Sequence, residues 1–132
     1  MDYERELKIK SLYFEILNLW MYETLQGNSI IPYLNTKGFN RIIIYGMAAL
    51  GDRLFQELKA NGVDVVCVID RNPYIIGDFD LMPPECDIPD ADLIIVTAEY
   101  YYDEIKTSLL NRASCPIMSM TQLFTAAFNC RF

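Results

Sequence analysis

The fold of this chain is decided by the stretch Ile42-Ile43-Ile44-Tyr45-Gly46-Met47-Ala48-Ala49-Leu50-Gly51. Its β-branched first part predicts a strand buried on both faces, and the glycine-punctuated turn leads into a segment with helical spacing of leucines. A second apolar run follows and ends at Asp70. Strand, glycine turn, helix and strand form the opening βαβ unit of a nucleotide-binding type of fold.

The glycine turn departs from the pattern G-x-G-x-x-G at its middle position. The middle glycine of that pattern lets the backbone approach a pyrophosphate, whereas Ala48 places a methyl group there. The turn therefore predicts the fold more strongly than it predicts the ligand.

Length and composition indicate one compact, folded domain. The chain has 132 residues, of which 52% are hydrophobic and 22% charged, enough to bury a core without disulfides or metals. Its apolar runs are shorter than the roughly 20 residues that a membrane helix needs. The first residues are charged rather than apolar, so we expect no signal peptide, no membrane span and a cytoplasmic location.

The composition also excludes several kinds of chemistry. The chain has no histidine, which removes the commonest general base, the imidazole metal ligand and every Ser-His or Cys-His arrangement. Its net charge of −7 argues against a nucleic-acid partner. The four cysteines contain no C-x-x-C pair, so we assign no metal ligand and no catalytic residue, and we expect Cys67 to be a buried thiol.

A long first helix is predicted over residues 3–26, which lack Gly and Pro and stop at Gly27. Its apolar residues cover more than one stripe, so one face cannot bury them all. We expect the second face, with Phe14 and Trp20, to contact another copy of the chain or a partner protein. An interfacial membrane helix is the alternative, but Glu6, Glu15 and Glu23 fit anionic lipid poorly.

The rest of the chain predicts alternating strands and helices. A short helix over residues 29–37, with Ser29 as N-cap, should precede five strands near residues 41–45, 63–69, 80–82, 93–97 and 116–120. Helices are expected over 48–60, 99–111 and 121–128. We therefore predict an α/β, Rossmann-like three-layer sandwich with strand order 3-2-1-4-5. Residues 1–38 would be an N-terminal helical extension and residues 39–132 the Rossmann-like domain, within one compact unit.

Ligands of such sheets bind outside the carboxyl ends of the strands, at the switch point between strands one and four. Asp70 lies 19 residues after Gly51, where an acidic residue would bind ribose hydroxyls; the alternative is that Asp70 only caps a turn with Asn72. Ala98, Glu99 and Ser119 should flank the site, and Arg53 could add positive charge. The predicted cofactor-binding residues are Gly46, Met47, Ala48, Gly51, Asp70, Arg71 and Thr97.

A tyrosine-rich segment follows the fourth strand. Tyr102 and Lys106 spell Y-x-x-x-K, the pair that short-chain dehydrogenases use for proton transfer, but here the pair follows strand four directly, so we interpret it as coincidence. We expect Tyr100, Tyr101 and Tyr102 to start a helix and to cover the sheet end or close a pocket.

Four segments carry a resemblance to a known family: residues 41–47, Leu50-Gly51, residues 65–73 and residues 91–97. Over residues 38–124 the chain resembles small Rossmann-like domains of bacterial surface-polysaccharide proteins, which precede the core of capsule sugar-nucleotide dehydratases and of certain sugar acetyltransferases. Those domains commonly have Gly-Met-Gly or Gly-Ala-Gly where this chain has Gly46-Met47-Ala48. The resemblance implies a cytoplasmic domain that binds a nucleotide, a nucleotide sugar or no ligand, beside a separate catalytic domain.

Three hypotheses follow. The first is a non-catalytic accessory domain that binds a nucleotide or nucleotide sugar. The second is an NAD-dependent oxidoreductase or epimerase-like protein, for which Asp70 favours NAD over NADP. The third is a dimerising scaffold with a vestigial nucleotide site, whose first helix forms the homodimer or binds a partner protein. The sequence leaves the cofactor open between NAD and a nucleotide sugar.

Overall fold

The computed structural model describes residues 2–130 and contains a five-stranded, all-parallel sheet with the order β3-β2-β1-β4-β5. The predicted fold class and strand order are therefore confirmed. In chain order the elements are α1 (Tyr3–Leu25), α2 (Ile31–Lys37), β1 (Arg41–Tyr45), α3 (Ala49–Ala60), β2 (Asp64–Ile69), β3 (Leu81–Met82), β4 (Leu93–Val96), a 3₁₀ turn (Glu99–Tyr101), α4 (Tyr102–Leu109), β5 (Ile117–Ser119) and α5 (Met120–Phe128).

Helices cover both faces of the sheet. Ile42 and Ile44 of β1 face a core shared with α1, α2, α3 and α5, whereas Ile43 faces a second core shared with α4. All three isoleucines are fully buried. Burial on both faces explains why β1 is a continuous β-branched run without polar alternation.

The long helix α1 packs along the first core through one face. Ile16 and Trp20 are buried, and the Trp20 ring meets Phe124 of α5 edge-on with centroids 5.1 Å apart. Asp2 accepts a hydrogen bond from the Arg5 N–H at 3.2 Å and caps the helix start. The expectation that Trp20 meets a partner is therefore wrong, because this ring fills the chain's own core; Phe14 remains exposed.

Several predicted boundaries shift. Helix α2 begins at Ile31 with Ile30 as N-cap, and the Ser29 hydroxyl instead accepts from the Ile31 N–H just ahead of the helix. The helix expected over residues 99–111 is a 3₁₀ turn followed by α4, which ends at Leu109. Strand β3 is a two-residue edge strand paired with Val68 and Ile69, in the predicted place.

Candidate functional site

A cavity of about 550 Å³ opens at the carboxyl ends of the central strands, at the predicted switch point. Its volume lies within the range of small-molecule sites, about 300–1,000 Å³. We call it the strand-end cavity. It is lined by Arg5, Tyr45, Gly46, Asp70, Arg71, Ala98, Tyr101, Glu104, Ile105 and Ser108.

Gly46 shapes the floor of the strand-end cavity. Its φ is +104°, and a Cβ placed there would lie 2.6 Å from the Thr97 Oγ1. The Gly46 N–H donates to the Ile69 carbonyl at 2.8 Å, and the Thr97 hydroxyl donates to the Gly46 carbonyl at 2.7 Å. Only glycine fits here, because both the backbone conformation and the space exclude a side chain.

Gly51 acts by close packing. A Cβ on Gly51 would lie 2.0 Å from the carbonyl oxygen of Gly46. The first turn of α3 thus rests directly on the backbone of the glycine turn, which is the structural role of the last glycine in the dinucleotide-binding pattern. Gly51 is buried and contributes to the site by holding the turn in place.

Asp70 ties the glycine turn to the end of β2. Its Oδ2 accepts from the Met47 N–H at 2.7 Å, and its Oδ1 accepts from the Asn72 N–H at 2.9 Å. The turn-capping role, one of the two alternatives predicted from sequence, is therefore present. A carboxylate has about four lone-pair sites, so these two bonds leave acceptor capacity for a ribose hydroxyl; that second role stays a prediction.

Some predicted site residues do not line the strand-end cavity. Among the described residues, its walls do not include Met47, Ala48, Gly51 or Thr97. Ala48 is exposed and forms the N-cap of α3 with a φ of −79°. The Met47 side chain packs against the first core. These four residues shape or flank the turn, whereas Gly46, Asp70 and Arg71 border the cavity itself.

Arg5 of α1 also lines the cavity, a position that the sequence does not predict. Its Nη2 donates to the Tyr101 hydroxyl at 2.5 Å, and its guanidinium carbon lies 5.3 Å from the Tyr101 ring centroid and 5.7 Å from that of Tyr100. The predicted role of the tyrosine cluster in closing a pocket is confirmed for Tyr101. No motif surrounds Arg5, so only the packing of α1 reveals its position.

Two cations and two carboxylates border the cavity: Arg5 and Arg71, and Asp70 and Glu104. Arg71 is exposed and adjoins Tyr45, whose pKa is raised by burial and pulled back in part by the nearby Arg71 charge. Because both oxygens of Asp70 accept backbone N–H bonds, its negative charge is partly compensated. The arginines are the groups best suited to an anionic ligand.

The Y-x-x-x-K pair has a structural role. Tyr102 is buried in the second core, and its hydroxyl donates to the Ile117 carbonyl at 3.1 Å. Burial raises the pKa of Tyr102, which is the opposite of the lowered pKa that proton transfer needs. The Lys106 Nζ lies 5.8 Å from the Tyr102 ring centroid. These contacts agree with the interpretation of the pair as coincidence.

Three other residues expected near the site serve elsewhere. The Glu99 carboxylate accepts from the Thr121 N–H and from the Thr121 hydroxyl, at 3.0 and 2.9 Å, and so holds the start of α5. Ser119 forms a capping box with Gln122 at the same helix end. Arg53 borders a different groove, between α1 and α3, so it does not add charge to the strand-end cavity.

The thiols and acidic groups suggest no metal centre. All four cysteines are free, and Cys67 is buried, as expected. Within residues 2–130, no group of three Cys, Asp or Glu side chains is arranged to hold a metal ion. In the same part of the chain, no helix combines the length and the apolar character required to cross a membrane.

Comparison with known proteins identifies one family. No curated protein and no solved structure matches the chain. Residues 38–116, more than half of the chain, match the family described as "C2185-like, N-terminal". The matched range contains the glycine turn, Asp70 and the sheet from β1 to β4 but lies outside α1 and α2. The chain therefore belongs to the C2185-like N-terminal domain family.

Proposed function

We propose that this chain is an accessory domain that binds a nucleotide or nucleotide sugar in the strand-end cavity, without catalysis of its own. The observation that carries the proposal is the position of this cavity: it lies at the topological switch point, between the Gly46 turn and the arginines Arg5 and Arg71. Open parallel sheets bind their ligands at this place.

The phosphates of the ligand would lie between the two guanidinium groups. Arginine presents a planar fork of donors that matches phosphate oxygens. Arg5 is already oriented by Tyr101, while Arg71 is exposed beside the strand ends. This arrangement does not need the middle glycine of the turn, so it is compatible with the methyl group of Ala48.

The uncharged parts of the ligand would contact the other walls. Tyr101 and Ile105 offer aromatic and aliphatic surface to a base. Asp70, with its unused lone pairs, is placed to accept from a ribose hydroxyl. The absence of histidine from the sequence and the buried, engaged Tyr102 hydroxyl favour binding over acid–base catalysis.

The cellular role rests on the resemblance to domains of bacterial surface-polysaccharide proteins. We propose a cytoplasmic domain that works beside a catalytic domain acting on nucleotide sugars. We also propose self-association through α1, because this helix buries one face and leaves Phe14 and other large apolar residues exposed on the opposite face. Ligand binding and self-association use different surfaces and are compatible.

An NAD-dependent activity is the second candidate. Asp70 at the end of β2 favours it, since this is the position of a ribose-binding carboxylate. The exposed methyl group of Ala48 at the N-terminus of α3 opposes it, because a dinucleotide's pyrophosphate would approach the turn there. We therefore rank a nucleotide or nucleotide sugar above NAD.

The test is a thermal-shift measurement with UDP, ADP, a UDP-linked hexose and NAD at millimolar concentration. A ligand at 100 times its Kd stabilises a protein by about 2.7 kcal/mol, so binding is readily detected. We expect a shift with UDP or the UDP-linked hexose in the wild type. Arg71→Gln should reduce it, whereas Arg53→Gln, the same change in the groove between α1 and α3, should not.

The Ala48→Gly variant separates the candidates. If only this variant shifts, and only with NAD, one methyl group has removed a dinucleotide site and the proposal fails for the wild type. A wild type that shifts with none of the compounds contradicts ligand binding and favours the dimerising scaffold with a vestigial site.

A further inference from the structure

The exposed face of α1 has an internal symmetry. Its large apolar residues are Tyr3, Leu7, Phe14, Met21 and Leu25, with exposed fractions of 71, 47, 69, 61 and 77%. Leu7 and Met21 are each seven residues from Phe14, and Tyr3 and Leu25 are each eleven residues from it. These five positions are therefore the same in either direction along the helix; Tyr22, which is 57% exposed, is turned about 80° from Phe14 and lies beside them.

Such a face fits a second copy of itself in the opposite direction. In a two-fold symmetric dimer the same patch meets itself, so residue i contacts residue j and j contacts i. We infer that two copies of this chain pair through antiparallel α1 helices, with the two-fold axis at Phe14, so that Phe14 meets Phe14 and Leu7 meets Met21. This inference rests on the self-association part of the proposed function and specifies its geometry.

A groove beside this face supplies a second, independent observation. The α1–α3 groove, of about 590 Å³, is lined by Leu17, Trp20, Met21, Thr24, Leu25, Arg53, Gln56 and Glu57. The Glu57 Oε2 is buried and has no hydrogen-bond partner among the described residues. Trp20 and Arg53 act on the same carboxyl group, but its Oε2 still lacks a donor, and a buried polar atom without a partner is costly.

The second copy brings a cation to this groove. Lys10, Leu17 and Thr24 are spaced by seven residues and so share one flank of α1, the flank that borders the groove. In an antiparallel two-fold pair, equal flanks lie on the same side. Lys10 of the second copy then lies opposite Asn18, on the side of the groove, and Glu6 of the second copy, one turn away, lies opposite Tyr22. Of these two charged residues, only Lys10 can pair with Glu57.

The matching positions of the apolar face favour a second copy as the occupant, and Lys10 is the cation that this copy would offer to Glu57. Lys10 is exposed and forms no ion pair within residues 2–130. Each dimer would contain the Lys10–Glu57 pair twice, once at each end of the interface.

Three measurements test the inference. The first is the molar mass by sedimentation equilibrium, with a dimer expected for the wild type. Phe14→Glu should yield a monomer whose circular dichroism and sheet stability are retained, since Phe14 is exposed. Tyr74→Glu, at a loop residue that is 84% exposed, is the matched control and should remain a dimer. A wild-type monomer overturns both the self-association and its geometry.

The second measurement is disulfide cross-linking of cysteine variants under oxidation, with the wild type as the control for native thiols. Phe14→Cys should cross-link to itself. Leu7→Cys should not, because position 7 would face position 21, about 21 Å along the axis from the other position 7. Equal cross-linking of both variants indicates a parallel pair, which overturns the geometry and leaves self-association standing.

The third measurement is a charge exchange followed by the dimer dissociation constant. Lys10→Glu and Glu57→Lys should each weaken the dimer about tenfold or more, and the double variant should recover most of the loss. Glu57→Gln, which retains the side-chain shape, should weaken it without a repulsive charge. If the double variant loses as much dimer affinity as the two single variants together, the Lys10–Glu57 contact is overturned.

Discussion

The carboxylate of Asp70 accepts a hydrogen bond of 2.7 Å from the main-chain N–H of Met47, which lies 23 residues earlier in the chain. This bond connects the end of β2 to the glycine turn after β1. Because the other carboxylate oxygen accepts from Asn72, one side chain fixes two backbone segments at the edge of the strand-end cavity. Hydrogen bonds within the chain therefore fix this border of the cavity.

Replacing Asp70 tests this connection. Asp70→Asn leaves only one acceptor oxygen for two N–H groups, so one donor loses its partner. We expect the free energy of unfolding to fall by about 1–3 kcal/mol, measured by urea denaturation. Asp64→Asn is the control, because Asp64 only forms an exposed ion pair with Arg41 at 3.7 Å, worth less than about 1 kcal/mol. Equal losses in the two variants would contradict the connecting role.

The glycine turn gives a second prediction. Gly46→Ala imposes a side chain at a φ of +104° and places its Cβ 2.6 Å from the Thr97 Oγ1. Backbone strain alone costs about 1–3 kcal/mol, and the collision adds to it. Gly62→Ala, at a φ of +71° with no atom within 4 Å of the new Cβ, should cost about 1 kcal/mol. Thermal denaturation compares the two, and the prediction fails if Gly62→Ala is the more damaging.

Much of this architecture follows from local sequence. Each central strand is an uninterrupted apolar run, and Gly46, Gly51 and Asp70 occupy the spacing that a βαβ unit requires. The short β3 was predictable as well, because the prolines on either side leave room for little more than an edge strand. Local patterns suffice here because each of these features depends on neighbours within one βαβ unit.

The walls of the cavity depend on contacts between distant parts of the chain. Arg5 contacts Tyr101, and Trp20 of the same helix packs on Phe124 of α5. No spacing rule connects residues so far apart in the chain. Glu99 is a second example. Its position at the end of β4 predicts a ligand contact, but its carboxylate accepts hydrogen bonds from Thr121 of α5. Tertiary packing therefore decides which side chains at the strand ends are engaged within the chain and which remain free to line the cavity.

The two aromatic residues of α1 should behave in opposite ways. Trp20→Ala removes a buried ring from the first core and should cost about 3–5 kcal/mol. Phe14→Ala, at a site that is 69% exposed, should change the stability of the isolated chain by less than about 0.5 kcal/mol. Urea denaturation at low protein concentration, where a dimer would be dissociated, is the suitable measurement. Comparable losses would mean that Phe14 packs inside the single chain.

The buried thiol of Cys67 predicts how stability changes at alkaline pH. Burial raises the pKa of Cys67 to about 11, whereas an unfolded cysteine titrates near 8.5. The folded state thus holds this proton more tightly. Its contribution of about 3 kcal/mol is fully present below pH 8.5 and is lost progressively as the pH rises to 11.

Denaturant unfolding between pH 8 and 11 measures this contribution. Burial also raises the pKa of Tyr13, Tyr45 and Tyr102, so the wild type should lose stability over this interval for several reasons at once. Cys67→Ala should lose less than the wild type, because the part due to the thiol is absent. Burial raises the pKa of Cys130 as well, but less than that of Cys67, so Cys130→Ala should lie closer to the wild type than Cys67→Ala does. The prediction fails if the free energy of unfolding of Cys67→Ala falls with pH as steeply as that of the wild type. The thiol would then ionise in the folded state without penalty. The second core, which contains Cys67, Ile43 and Ile69, would be more open to water than its burial implies.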